Sequence, residues 1–135
     1  MKIYSSVDMT LPYAAGALYS TVEDLYKWDQ ALYTEQLVKT ATFEEAINPG
    51  RLNDNSFTDY GFGWGLGTVL GRDATYHNGS WAGFRIYILR FRTERFTVVL
   101  LANVEELDAG LITEEISKIY LGDKVTRQTK TKLPR

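Results

Sequence analysis

Phe84-Arg85-Ile86-Tyr87-Ile88-Leu89-Arg90-Phe91-Arg92-Thr93-Glu94-Arg95-Phe96-Thr97-Val98-Val99-Leu100-Leu101-Ala102 is the stretch that decides the fold. Its first run, Phe84 to Phe91, places Phe84, Ile86 and Ile88 on one side and Arg85, Tyr87, Leu89 and Phe91 on the other. Both sides are largely apolar, which predicts a strand covered on both faces. Thr93-Glu94 makes a tight turn. Phe96 to Ala102 is an unbroken apolar run rich in valine and leucine, a second well-buried strand. A connection this short cannot hold the crossover a parallel pair needs, so the two strands are antiparallel.

Reading upstream, Ala74 to Asn78 is a further extended piece, preceded by a turn at Gly71-Arg72-Asp73. Before that, Tyr60-Gly61-Phe62-Gly63-Trp64-Gly65-Leu66-Gly67 alternates glycine with large apolar residues. On a strand this puts Phe62, Trp64 and Leu66 on one face and bare backbone on the other, against which something should pack closely. A phosphate-binding loop would need different glycine spacing and a helix to follow. Residues 51–59 are polar and loop-like. A short helix over Thr42 to Ile47 is stopped by Asn48-Pro49-Gly50. Ser20 and Glu23 have capping-box spacing, and Leu25, Trp28, Ala31 and Leu32 continue at helical spacing to about Tyr33. Residues 1–17 read as irregular, punctuated by Pro12 and Gly16.

Reading downstream, a helix is predicted from Ala109 to Tyr120, with Ile112, Ile116 and Ile119 on one face, Asp108 capping its start and Gly122 its end. The tail from Lys124 holds five basic residues and reads as a solvated linker or frayed end rather than a nucleic-acid arm. The fold class is therefore α+β, an antiparallel sheet of three to four strands with flanking helices. Residues 1–122 form the domain and 123–135 a basic linker or disordered tail.

Composition narrows the function classes. The chain has 135 residues, 44% of them hydrophobic and 24% charged, an ordinary globular profile. A net charge of −2 gives no bulk attraction to nucleic acid or anionic membrane. There is no cysteine, hence no disulfide framework and no thiolate chemistry. No apolar run approaches the roughly 20 residues of a membrane span. The N-terminal residues lack the apolar core of a signal peptide. His77 is the sole histidine, and no carboxylates stand at ligand spacing beside it, so neither a metal nor any other cofactor is expected. Glu44-Glu45 and Glu114-Glu115 are adjacent helical carboxylates, not a glycosidase pair.

The segment His77-Asn78-Gly79-Ser80-Trp81-Ala82-Gly83-Phe84 opens the deciding strand. It resembles the third motif of serine β-lactamases, penicillin-binding proteins and their esterase relatives, usually Lys-Thr-Gly, with His in the first position of many esterase-like members. Ala15-Gly16-Ala17-Leu18-Tyr19-Ser20-Thr21-Val22-Glu23-Asp24-Leu25 resembles a helix start of that family. Tyr60 to Trp64 is similar to its lead-in to the third motif, and Phe96 to Asn103 to its last strand. The four matches occur in the family's order and cover about residues 12–121.

The family's nucleophile lies in Ser-x-x-Lys. Three residues beyond the serines at 5, 6, 20, 56, 80 and 117 stand Asp8, Met9, Glu23, Asp59, Gly83 and Tyr120, never lysine. Tyr76-His77-Asn78 fits the second motif formally, but it overlaps the third. The resemblance thus implies the C-terminal part of a class C β-lactamase-like, esterase or DD-peptidase type of hydrolase, an incomplete β-lactamase/transpeptidase-like sandwich that is inactive alone.

By the same resemblance the reaction is acyl transfer through a serine ester on β-lactam, peptide or ester substrates. His77 and the backbone N–H of Ser80 are the catalytic candidates, as proton-transfer group and oxyanion donor. Asn78, Gly79 and Trp81 are the substrate-binding candidates. Asn78 in place of the usual Thr or Ser shifts the expectation from β-lactams toward esterase or peptidase-like activity. The implied partners are a small-molecule or peptide substrate in the full-length parent and the missing N-terminal part of the domain. Without that part, strand 96–102 would present an open edge, to be covered by residues 1–11 or by a homodimer. A periplasmic or extracellular bacterial parent is implied. The competing readings are a stand-alone binding module with Trp64 and Trp81 as its recognition patch, and a degenerate family member kept as a ligand sensor.

Overall fold

A computed structural model of the chain describes residues 10–122. The N-terminal nine residues and the basic tail of residues 123–135 lie outside them, and with them the proposed linker and most of the segment expected to cover the sheet edge. The described residues form four helices, α1 (Tyr13–Gly16), α2 (Val22–Ala31), α3 (Thr40–Ala46) and α4 (Ala109–Leu121), and four strands, β1 (Gly65–Val69), β2 (Arg72–Trp81), β3 (Phe84–Phe91) and β4 (Phe96–Ala102). The strands form one antiparallel sheet in the order β1-β2-β3-β4, an α+β arrangement.

The deciding hairpin forms as read, with Phe91 opposite Phe96 and Arg85 opposite Ala102. β3 is covered on both faces. On one face Leu89 and Phe91 join Ala74, flanked by Val69, Tyr76, Tyr87 and Leu121. On the other, Ile88 packs against Phe43, Ile47 and Trp64, with Leu32 and Leu66 beside them. The first core lies under α4, and the second faces α3 and the end of α2.

The ion pair that ties the second core together was not foreseen. Arg90 points into this core, where its guanidinium donates to the Asp29 carboxylate of α2. Thr97 Oγ1 adds a bond to Asp29 Oδ1 at 3.1 Å. The rings of Tyr33, Phe43 and Trp64 stand 5.1, 5.3 and 5.3 Å from the guanidinium carbon. Both charged side chains are fully buried. The rings and the carboxylate replace part of the water that this arginine gives up, while its Nη1 is buried without a hydrogen-bond partner among the described residues.

Several boundaries differ from the sequence reading. The N-cap of α2 is Thr21, not Ser20: its hydroxyl accepts the N–H of Asp24 at 3.1 Å. The helix ends at Ala31, short of Tyr33. α3 starts at Thr40 instead of Thr42. Residues 13–16, expected to be irregular, close one helical turn behind Pro12. The β1–β2 turn is Leu70-Gly71, with φ of 52° and 70°, the double positive φ that a type I′ hairpin requires.

On α4 the buried stripe is Ala109, Thr113 and Ser117, whose hydroxyls bond back to the preceding turn. Ile119 is 80% exposed and does not belong to it. The caps of α4 are as expected: Asp108 accepts the N–H of Leu111 at 2.9 Å, and Gly122 ends the helix at φ 62°.

The glycine-alternating stretch is a strand only from Gly65. Before it the chain curls: Gly61 N–H donates to Trp64 O at 2.8 Å and Phe62 N–H to Ala46 O at 2.7 Å. The curl throws Phe62 outward, 70% exposed, while Trp64 is only 7% exposed in the core. The expected close approach to bare glycine does occur. A Cβ on Gly61 would lie 2.2 Å from Ala46 O, and one on Gly65 2.4 Å from the Tyr76 ring.

Candidate active site

His77, Asn78, Gly79, Ser80 and Trp81 occupy the second half of β2. Strand alternation divides them. Odd-numbered side chains share the face of Trp64 and Ile88, and even-numbered ones share the face of α4. His77 is exposed on the first face, its ring 6.3 Å from that of Tyr60 and tilted by 56°. Trp81, on the same face, is 37% exposed. Asn78 and Ser80 are exposed on the α4 face. Tyr76 also faces α4, stacked on Tyr87 at 5.9 Å. Its side chain is on the opposite face of β2 from that of His77.

The main chain of this segment is open on one side. Leu66 N–H donates to Asp59 O at 2.8 Å, away from β2. Its neighbours Gly65 and Gly67 therefore carry the ladder to Tyr76 and Ala74. By the same alternation the N–H and C=O groups of Asn78 and Ser80 point to the β1 side of β2, while those of His77, Gly79 and Trp81 point to β3. The pairing with β1 ends at Tyr76. Among the described residues, no strand stands opposite the outward groups of Asn78 and Ser80. A strand end with unpaired donors and flat, exposed backbone can take an extended substrate or hold an anionic oxygen.

Gly79 fits that use. A Cβ there would meet Ile86 at 3.5 Å, an ordinary contact. Nothing in the packing of the described residues demands glycine at 79, in contrast to Gly61 and Gly65. The hairpin end is secured by Arg85, whose Nη1 donates to the carbonyls of Trp81 at 3.1 Å and Phe84 at 2.8 Å. Gly83 supplies the positive φ, 81°, that the Ala82-Gly83 turn needs.

Trp64 has no place in a recognition patch. It stacks on Trp28 at 5.9 Å, meets Phe43 edge-on and is buried. The alternation of apolar residues with glycine gave no sign of which tryptophan would be inside.

No described serine is part of a Ser-x-x-Lys. Ser117 is buried in α4 and bonded to Thr113 O, Ser56 bonds to Asp54, Ser20 bonds to Thr21 O, and Ser80 lies on the open strand. Sequence reasoning missed a cavity of about 500 Å³ on the α4 face of the same segment, between β2, β3 and the β4–α4 loop. Glu105 and Asp108 line it, and no local pattern brings that loop to Ser80.

The chain is similar to known proteins over most of its length. The chain is 39% identical over 93 residues to penicillin-binding protein 4* of Bacillus subtilis (strain 168), covering 67% of this chain and 20% of that protein. It is 27% identical over 117 residues to a D-aminopeptidase of Gluconobacter oxydans (strain 621H), covering 84% of this chain and 22% of that protein. The chain thus spans about one fifth of the length of these curated relatives. The family model described as Beta-lactamase matches residues 3–118, most of the sequence, and the chain belongs to that family of serine hydrolases and penicillin-binding proteins.

Proposed function

We propose that this chain is the C-terminal piece of a β-lactamase-like serine hydrolase, contributing the third-motif strand and the oxyanion wall, and that it is inactive alone. The observation that carries this reading is the open half of β2, with the outward main-chain groups of Asn78 and Ser80 beside an exposed His77. The absence of Ser-x-x-Lys from the sequence and the one-fifth coverage of its relatives support it.

In the complete site, a serine oxygen from the missing part attacks the substrate carbonyl. The serine gives its proton to the lysine of the same Ser-x-x-Lys, the C–O bond to the serine forms, and the carbonyl electrons move onto oxygen. Their return breaks the bond to the alcohol or amine, which leaves with that proton, and leaves a serine ester that water hydrolyses. The Ser80 N–H, fixed at the strand edge, donates to that oxyanion. Loss of one such donor costs about 10²–10³ in rate. His77 stands where the family places its third-motif Lys or His and serves proton transfer or binds substrate through a hydrogen bond. Gly79 lets the substrate lie against the strand, and Trp81 flanks it on the His77 face. Asn78 in place of Thr or Ser, together with a relative named D-aminopeptidase, favours an ester or peptide bond over a β-lactam as substrate.

Reconstitution tests the reading. The chain is co-expressed with the protein segment encoded upstream of it, and ester and peptide hydrolysis is measured for each part and for both together. Activity only in the combination is expected. Hydrolysis by the 135-residue chain alone, or none in a folded combination, overturns the proposal.

A further inference from the structure

The pairing of β1 with β2 ends at Tyr76, so β1 does not flank His77. A residue of the preceding curl takes that place. The ring of Tyr60 lies 6.3 Å from the imidazole, tilted by 56°, inside the range of about 4.5–7 Å over which aromatic rings attract. The other neighbours leave the imidazole loose. Its strand partner is Ile88 on β3. Along its own face of β2 it has Thr75, which is buried, and Gly79, which has no side chain. His77 is exposed and makes no hydrogen bond or ion pair among the described residues.

Tyr60 is held where the imidazole is not. Its N–H donates to Thr58 Oγ1 at 3.3 Å, and its carbonyl accepts from that hydroxyl at 2.7 Å. The same carbonyl accepts the Gly50 N–H at 3.1 Å, and a β-bridge joins Tyr60 to Gly65. All these bonds use the main chain of residue 60, so they survive a change of its side chain. The ring is 45% exposed and belongs to neither core.

We propose that Tyr60 is a positioning residue, whose ring packs against the imidazole of His77 and fixes it on the open half of β2. This rests on the reading of His77 as the third-motif group that moves a proton or binds substrate. Such a group must be held within about 0.5 Å of its working geometry by neighbours that are themselves locked. Ile88 and a bare glycine do not enclose it, and the pinned ring of Tyr60 supplies the missing wall.

His77 is the sole histidine, so its ring protons give isolated NMR signals in the 135-residue chain. They are expected to show NOEs to the Tyr60 ring and a ring-current shift that Tyr60→Leu abolishes and Tyr60→Phe keeps. In the reconstituted enzyme, Tyr60→Leu should lower kcat/KM about tenfold, and Tyr60→Phe should restore most of it. In a His77→Ala background Tyr60→Leu should cost nothing further, because the ring acts through the imidazole. A further loss there, an equal loss in Tyr60→Phe and Tyr60→Leu, or the absence of NOEs in the unaltered chain would overturn this inference alone. A folded combination that is inactive, or one that His77→Ala leaves unimpaired, would defeat the underlying reading of the site and this inference with it.

Discussion

Asp29 on α2 and Arg90 on β3 are both fully buried and bonded to each other across 61 residues of sequence. This pair locks the helical segment to the sheet that carries His77. Arg90 is on the same sheet face as His77, two residues along β3 from Ile88, the strand partner of His77. Removing one partner leaves an uncompensated buried charge. Arg90→Met is therefore expected to destabilise the chain by about 3–5 kcal/mol. The double variant Asp29→Leu with Arg90→Met should recover a large part of that loss. Urea unfolding of Arg90→Met, Asp29→Leu and the double variant measures it, and equal losses in single and double variants would show that the pair does not act as a unit.

The glycines divide into those the fold needs and one it does not. Gly61→Ala would push a Cβ to 2.2 Å from the Ala46 carbonyl, an atom of helix backbone that cannot swing aside. A loss of about 1–3 kcal/mol is expected in thermal or urea unfolding. Gly79→Ala meets only Ile86 at 3.5 Å, so its stability should stay within about 0.5 kcal/mol of the parent. Its effect should appear instead in the reconstituted enzyme, as a raised KM or lowered kcat.

Much of this architecture was legible in the sequence. Phe84–Phe91 and Phe96–Ala102 are long apolar runs, so their burial and pairing follow from composition and a short turn. The caps Asp108 and Gly122 announce α4 by local chemistry. The curl at Tyr60–Trp64 was not legible, because it depends on the Ala46 carbonyl reaching back to Phe62. Neither was the Asp29–Arg90 pair: each residue reads alone as a surface charge. The segment His77–Trp81, the proposed substrate strand, stood out as a motif, and the structure shows it as the second half of β2. The acidic wall at Glu105 was hidden, since a distant loop supplies it.

β4 ends the sheet, and among the described residues no strand pairs with its outer side. On α4, Leu111, Ile119 and Tyr120 are exposed. An apolar strand edge beside exposed helix residues favours association. Sedimentation velocity over a concentration series should show the isolated chain forming dimers or larger species. Leu101→Lys, placing a charge on the edge strand, should shift it toward monomer. A monodisperse monomer at every concentration would contradict an uncovered edge.

Tyr87 gives the pH dependence a direction. Its phenol is held above the ordinary value of 10.0, chiefly by burial. The unfolded chain therefore releases this proton at lower pH than the folded one. The stabilisation is present in full below that value and is lost as pH rises toward the folded pKa. Tyr87→Phe should make stability fall less steeply above pH 10, as read from urea midpoints over an alkaline series.

The central claim is that this chain holds one wall of a serine hydrolase site without its nucleophile. Intact-mass spectrometry of the purified chain, after exposure to a reactive penicillin and to a fluorophosphonate, addresses it directly. The account predicts the unmodified mass under both reagents. A stoichiometric adduct mapped to a single serine would show that the chain carries its own nucleophile, and would contradict it.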